Sequence, residues 1–135
     1  MICLDTNVVI GAINGRIPAI RARLGEHLRS GAGVATPVIA LYEMRYGNAK
    51  SDRRETSERL LDSFLATGII VLPFEGEDAR DAGDIRAYLE RRGEPIGHYD
   101  YLIAAQARRR ALPLVTANSR EFQRVPGLIV MDWAA

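Results

Sequence analysis

"MICLDTN", residues 1–7, is the stretch whose reading decides the fold. An apolar run ends at Leu4 and turns polar at Asp5, as a buried strand does where it leaves the core. The same short, apolar, β-branched character returns in "GAGVAT" (31–36), "GIIVLPF" (68–74), "LPLVTAN" (112–118) and "GLIVMDW" (127–133). Helical patterns fill the gaps. One follows Asp5, and a second covers about 16–30. A third starts with Thr36 as N-cap and Pro37 at the first position and runs to about Gly47. An amphipathic helix spans 52–66, with Leu60, Leu61, Phe64 and Leu65 as its apolar stripe. Two more cover 77–92 and 98–111, and "SREF" makes a short one after the fourth strand. Strands alternating with helices predict a central parallel sheet covered on both faces, a three-layer α/β/α sandwich forming a single domain over 1–135.

The bulk composition agrees. A chain of 135 residues suits one compact domain. Its 47% hydrophobic and 26% charged residues are an ordinary globular balance, and a net charge of +1 excludes a basic coat for nucleic acid. No apolar run approaches the ~20 residues of a membrane span, and the first fifteen residues lack a signal-peptide layout. Cys3 is the single cysteine and is expected to be a small buried thiol. Together these features suit a soluble, cytoplasmic protein in a reducing compartment. Of the 18 basic residues 17 are Arg, so Lys50 alone is left for any chemistry that needs a lysine.

Ligands of such sheets lie beyond the carboxyl ends of the strands. Asp5 comes directly after the first strand, followed by Thr6 and Asn7; all three residue types also cap helices well. Asn118 and Ser119 stand at the corresponding end of the fourth strand, where a turn or cap is the alternative reading. Two further acids occur on apolar helices. Glu43 interrupts "IALYEMRYG" (39–47), whose Ile39, Leu41, Tyr42, Met44 and Tyr46 face nearly every direction, so this helix is expected to be buried all round. Asp100 precedes "YLIAAQA" (101–107) in the first turn of its helix. A buried carboxylate must find a cation, take up a proton or gather donors. Arg45 is two residues from Glu43 and points away from it, although an arginine from elsewhere in the chain could pair with it. A shared Mg²⁺ or Mn²⁺ ion is the economical solution, because hard oxygen ligands suit both.

"LDTN" (4–7), "LYEMRYG" (41–47), "PIGHYDYLIAAQA" (95–107) and "LVTANSREFQRVPGL" (114–128) together resemble the PIN-domain ribonucleases, and among them the VapC-type toxins of bacterial toxin–antitoxin pairs. The resemblance covers essentially the whole chain. It implies a metal-dependent endoribonuclease acting on structured RNA such as tRNA or rRNA, neutralised by a cognate VapB-type antitoxin and forming a homodimer. Carried over motif by motif, Asp5, Glu43 and Asp100 match the principal acidic positions, and Asn118 falls at the fourth. Asn7 and Thr116 match supporting polar positions. A neutral amide at Asn118 adds no charge, which weakens the hold on a second ion. The chemistry implied is in-line attack of an activated water, leaving a 5′-phosphate and a 3′-hydroxyl.

His98 is read as a loop or substrate-side residue and His27 as a surface residue. "RRR" (108–110) reads as a solvated helix end complementing the dipole. Arg16, Arg21 and Arg23 are candidates for contacting RNA phosphates or the antitoxin, or for an ordinary solvated face. A haloacid-dehalogenase-type phosphatase would need Asp where Asn7 stands, and a receiver domain would need Asp where the third strand reads "VLPF". The alternative from another class is a non-catalytic PIN-fold module that binds RNA or protein.

Overall fold

The computed structural model describes residues 1–133. Among the described residues five strands form one sheet: β1 (Ile2–Leu4), β2 (Val34–Pro37), β3 (Ile70–Leu72), β4 (Leu114–Val115) and β5 (Val130–Met131), in the order β3-β2-β1-β4-β5. Every pairing is parallel. Seven helices among the same described residues connect them: α1 (Thr6–Asn14), α2 (Pro18–Arg29), α3 (Val38–Ala49), α4 (Arg54–Leu65), α5 (Gly76–Arg91), α6 (His98–Arg109) and α7 (Ser119–Phe122). The expected three-layer α/β/α architecture is the one observed. Ile2, Cys3 and Leu4 of β1 and Val34 and Ala35 of β2 are buried, as strands covered on both faces must be. Burial pushes the Cys3 thiol up to about 12, so it is the small inert hydrophobe expected.

The chain moves from β1 outward to β2 and β3, then crosses back to place β4 on the other side of β1. The direction of winding therefore reverses between β1 and β4, and the crevice at their carboxyl ends is where such sheets bind ligands. Leu4 pairs with Val115 there, and the Asp5 N–H donates to the Val115 carbonyl at 2.9 Å.

Four expectations are corrected. Thr36 is not an N-cap: β2 runs on through Pro37, which pairs with Leu72, and the buried Thr36 hydroxyl donates to the Leu4 carbonyl at 3.1 Å. Pro37 takes the cap position without a side-chain bond. Helix α3 is not buried all round. Only Ala40 and Met44 are buried, while Tyr42 and Tyr46 stand 51% and 57% exposed. Tyrosine is amphipathic, and the apolar count of the helix overstated its need for cover.

The "RRR" stretch is not a solvated end. Arg109 Nε and Arg110 Nη1 donate to Asp78 Oδ1 at 2.6 and 2.8 Å, and Arg108 forks onto Asp81. Asp78 is fully buried, and its other oxygen accepts the Glu75 N–H that opens α5. Burial alone would raise the Asp78 pKa, but Arg110, Arg109 and that N–H hold it below the usual carboxylate range. The three arginines thus clasp α6 to α5. His27, read as a surface residue, is half-buried with its ring 5.6 Å from that of Trp133.

Candidate active site

Asp5 ends β1 and caps α1. It is 4% exposed, and both of its oxygens are engaged. Oδ1 accepts the Thr6 N–H at 2.8 Å, and Oδ2 accepts the Thr116 hydroxyl at 2.8 Å from the end of β4, across the switch point. Burial raises the Asp5 pKa, and these two donors pull it part of the way back. The Thr116 hydroxyl in turn accepts the Asn118 N–H at 2.9 Å, tying the loop after β4 to the same carboxylate.

Glu43 arrives from α3, and its partner is a hydroxyl rather than a cation: Thr6 Oγ1 donates to Oε1 at 2.9 Å. Its pKa is raised by burial, lowered by Thr6 and raised again by the charge of Asp5. Thr6 therefore bridges two acids, through its N–H to Asp5 and its hydroxyl to Glu43. Arg45, on another side of α3, is committed to Glu58 and Asp62 of α4.

Asp100 lies half-buried in the first turn of α6. Its pKa is pushed up to about 6, chiefly by burial and then by the negative charges of Asp5, Glu43 and Glu121. An N–H at Gly97 counters this in part. A Cβ on Gly97 would stand 2.8 Å from Asp100 Oδ2, so this glycine allows the carboxylate to settle against the backbone. Among the described residues, no ion pair includes Asp5, Glu43 or Asp100. The site holds mutually repelling acids without a cation of the protein's own.

The remaining expected site residues sort differently. Asn118 is half-buried at the N-cap of α7 and makes no side-chain capping bond, so its amide is not used as a cap. Asn7 is exposed, and among the described residues it makes no side-chain hydrogen bond to the acids. Thr6 holds the supporting place beside them. Arg16 and Arg23 are exposed on the loop before α2 and on α2 itself. Arg21 turns back onto α1, where Nε donates to the Ala12 carbonyl at 2.7 Å and Nη2 to that of Ile13 at 2.8 Å. It covers Gly15, whose φ of +68° ends the helix. His98 is exposed at the start of α6. Glu121, one turn beyond Asn118 in "SREF", was not anticipated. Its signal in the sequence is the three-residue spacing that puts both on one side of α7.

Among the described residues no three His, Cys, Asp or Glu side chains close into a ready-made metal cage. An open set of carboxylates fits Mg²⁺ or Mn²⁺ better than a structural ion, because Mg²⁺ takes one or two carboxylates and keeps several waters. The uncompensated charge of the acids supplies the attraction. Next to Glu43 a groove of about 380 Å³ runs between α1, α3 and α4, lined by Ile10, Ile13, Met44, Leu60 and Leu61. Ile10 and Leu60 are 44% and 51% exposed in it, so its walls are uncovered apolar surface.

The profile of the PIN domain matches residues 2–128. The chain belongs to the PIN-domain family. Its PIN-family relatives include the tRNA(fMet)-specific endonuclease VapC of Shigella flexneri, 38% identical over 97% of this chain and 96% of that protein, and ribonuclease VapC2 of Rickettsia felis, 36% identical over 96% of each. Among solved PIN-fold structures, VapBC2 of Rickettsia felis bound to a fragment of its promoter superposes with a TM-score of 0.91 at 34% identity, covering 98% of this chain and 99% of that one. DNA-bound VapBC of Salmonella typhimurium gives 0.89 at 36% identity, covering 98% and 99%.

Proposed function

We propose that this PIN-domain chain is a VapC-type endoribonuclease toxin that uses Mg²⁺ or Mn²⁺ to cut structured RNA of the tRNA class in the cytoplasm, and that a VapB-type antitoxin neutralises it. The observation that carries the reading is the meeting of Asp5, Glu43 and Asp100 at the β1/β4 crevice without a cation of the protein's own. Asp5, Glu43 and Asp100 would hold the ion, with the Asn118 amide beside them. When bound, the ion supplies the positive charge that offsets a phosphodiester and the acidity that readies a water for attack.

The chain's own residues set the geometry. Thr116 and Thr6 fix the two oxygens of Asp5, so this carboxylate is pre-oriented before anything binds. Thr6 also fixes Glu43, and Gly97 leaves room for Asp100. Asp100 titrates near 6 without a cation, so its readiness to take one falls in mildly acidic solution. The apolar groove ending at Glu43 offers a peptide segment of a partner a place from which to cover the site. The relatives in solved complexes with VapB proteins support such a partner for this chain. The exposed Leu60 of α4 adds apolar surface, in keeping with self-association as a homodimer.

The test is to incubate antitoxin-free protein with total cellular RNA and map new ends by sequencing. Discrete cuts with 5′-phosphates, suppressed by a co-purified VapB-type partner, are the expected result. Intact RNA in both Mg²⁺ and Mn²⁺ would sink the nuclease assignment.

A further inference from the structure

We propose that Tyr42 and Tyr99 form an aromatic lip that stacks an unpaired base of the RNA beside the phosphate to be cut. The inference rests on the nuclease reading above and assigns residues that the acid chemistry leaves unused. Tyr42 is the sequence neighbour of Glu43 on α3, and Tyr99 is the neighbour of Asp100 on α6. Their rings meet across the two helices at 5.5 Å with a 63° tilt, and their hydroxyls lie 3.4 Å apart. The fold leaves both uncovered, at 51% and 44% exposure.

A lone exposed tyrosine needs no explanation. This pair is part of an ordered stripe. Tyr46 follows Tyr42 by one turn of α3 and is 57% exposed, and Lys50 follows Tyr46 by another, with its Nζ 4.8 Å from the Tyr46 ring centroid. The stripe covers about 12 Å along the helix axis and leads from the acids to the chain's one lysine.

The chemistry of the site explains the use of such a stripe. Carboxylates repel an RNA backbone, so affinity beside them must come from groups without negative charge. A base has a π-face whatever its identity, and stacking on an aromatic side chain strengthens binding about five- to a hundred-fold per base. Unpaired bases of loops and ends are the ones free to be splayed onto such rings. Tyr42 and Tyr99 are thus specificity-determining residues that would favour single-stranded segments of a structured RNA.

The experiment uses the full chain and short single-stranded RNA oligonucleotides carrying 2-aminopurine at successive positions. Binding in EDTA is read by quenching of the probe, and particle mass by light scattering. Tyr42→Ala and Tyr99→Ala are compared with Tyr42→Phe and Tyr99→Phe, each checked for folding. The expected result is quenching at one or two positions, lost with each alanine variant along with at least about five-fold in affinity, and retained with phenylalanine. Cleavage of total RNA in Mg²⁺ should then show a raised KM with kcat little changed. Alanine variants that quench and bind like wild type overturn the lip while leaving the nuclease reading intact, provided wild type cuts RNA. Loss of quenching in variants of a chain that cuts nothing removes the nuclease reading and with it the placement beside a phosphate to be cut, so it overturns the lip as proposed while leaving a base-stacking site. Equal loss in the phenylalanine variants, or a fall in particle mass that accompanies the weakening, also overturns it, in favour of a hydroxyl pair or a seam between copies.

Discussion

Replacing Asp100 by asparagine should stabilise the metal-free protein while removing its activity. The magnitude follows from the charges around the carboxyl. Its pKa rises from 3.8 to about 6, because burial and the negative charges of Asp5, Glu43 and Glu121 disfavour the ionised form. At 1.36 kcal/mol per unit this is roughly 3 kcal/mol of strain on the ionised state. Asp100 is only half-buried, and solvent screening reduces the figure to about 1–1.5 kcal/mol. The sign is set by the raised pKa. An acid titrating higher folded than unfolded adds no penalty below about 4 and its full penalty above about 6. Thermal unfolding in EDTA should therefore show Asp100→Asn melting about 3–5 °C above wild type at pH 7.5, with the gap closing by pH 4. Saturating Mg²⁺ should stabilise wild type and leave the variant nearly unmoved. If the variant melts well below wild type at pH 7.5 in EDTA, the carboxylate is a structural group and the reasoning fails.

Other perturbations reach the same site through its supports. Gly97→Ala puts a methyl against Asp100 Oδ2 and should turn that carboxylate aside, lowering kcat about ten-fold or more while moving Tm little, as kinetics alongside a melting curve would read. Thr6→Val removes the hydroxyl that holds Glu43 but keeps the N–H on Asp5, so cleavage should fall and require more Mn²⁺ for half-maximal rate. Asp78→Ala should cost about 2–4 kcal/mol in urea denaturation, because it removes the buried anion shared by Arg109 and Arg110, leaving them only the exposed Glu75 as a charged partner, and takes away the acceptor of the Glu75 N–H that opens α5. Since the Asp78 pKa is lowered on folding, its contribution is present above about 4 and lost as pH falls below, so the variant and wild type should converge in acid.

Asp5 could be located from the sequence because it ends an apolar strand, and a parallel sheet sends such ends to one edge, whereas Thr116 was implied only by the family resemblance. Asp100 was legible for a different reason, an acid at the head of a helix otherwise too apolar to expose. The choice between Thr6 and Asn7 was not legible. Adjacent helical residues differ by about 100° in direction, and only the position of α3 decides which one meets Glu43. The clasp of Asp78 with Arg109 and Arg110 joins residues more than thirty apart, so a charge run at a helix end gave no hint of a buried partner. The tyrosines of α3 misled because a count of apolar residues does not separate rings that need cover from rings that tolerate water. For Arg21 the sequence left phosphate, antitoxin and solvated face side by side, and gave no sign of the carbonyls at the end of α1 to which its guanidinium donates.

The central claim is that Asp5, Glu43 and Asp100 form one cation site and that this site cuts RNA. Measuring bound Mn²⁺ by electron paramagnetic resonance and RNA cleavage rate in the same titration tests both halves together, with Asp5→Asn alongside. Binding and rate should rise over the same Mn²⁺ range in wild type, EDTA should abolish both, and the folded Asp5→Asn variant should lose both. Cleavage that persists in EDTA or in Asp5→Asn would contradict the claim.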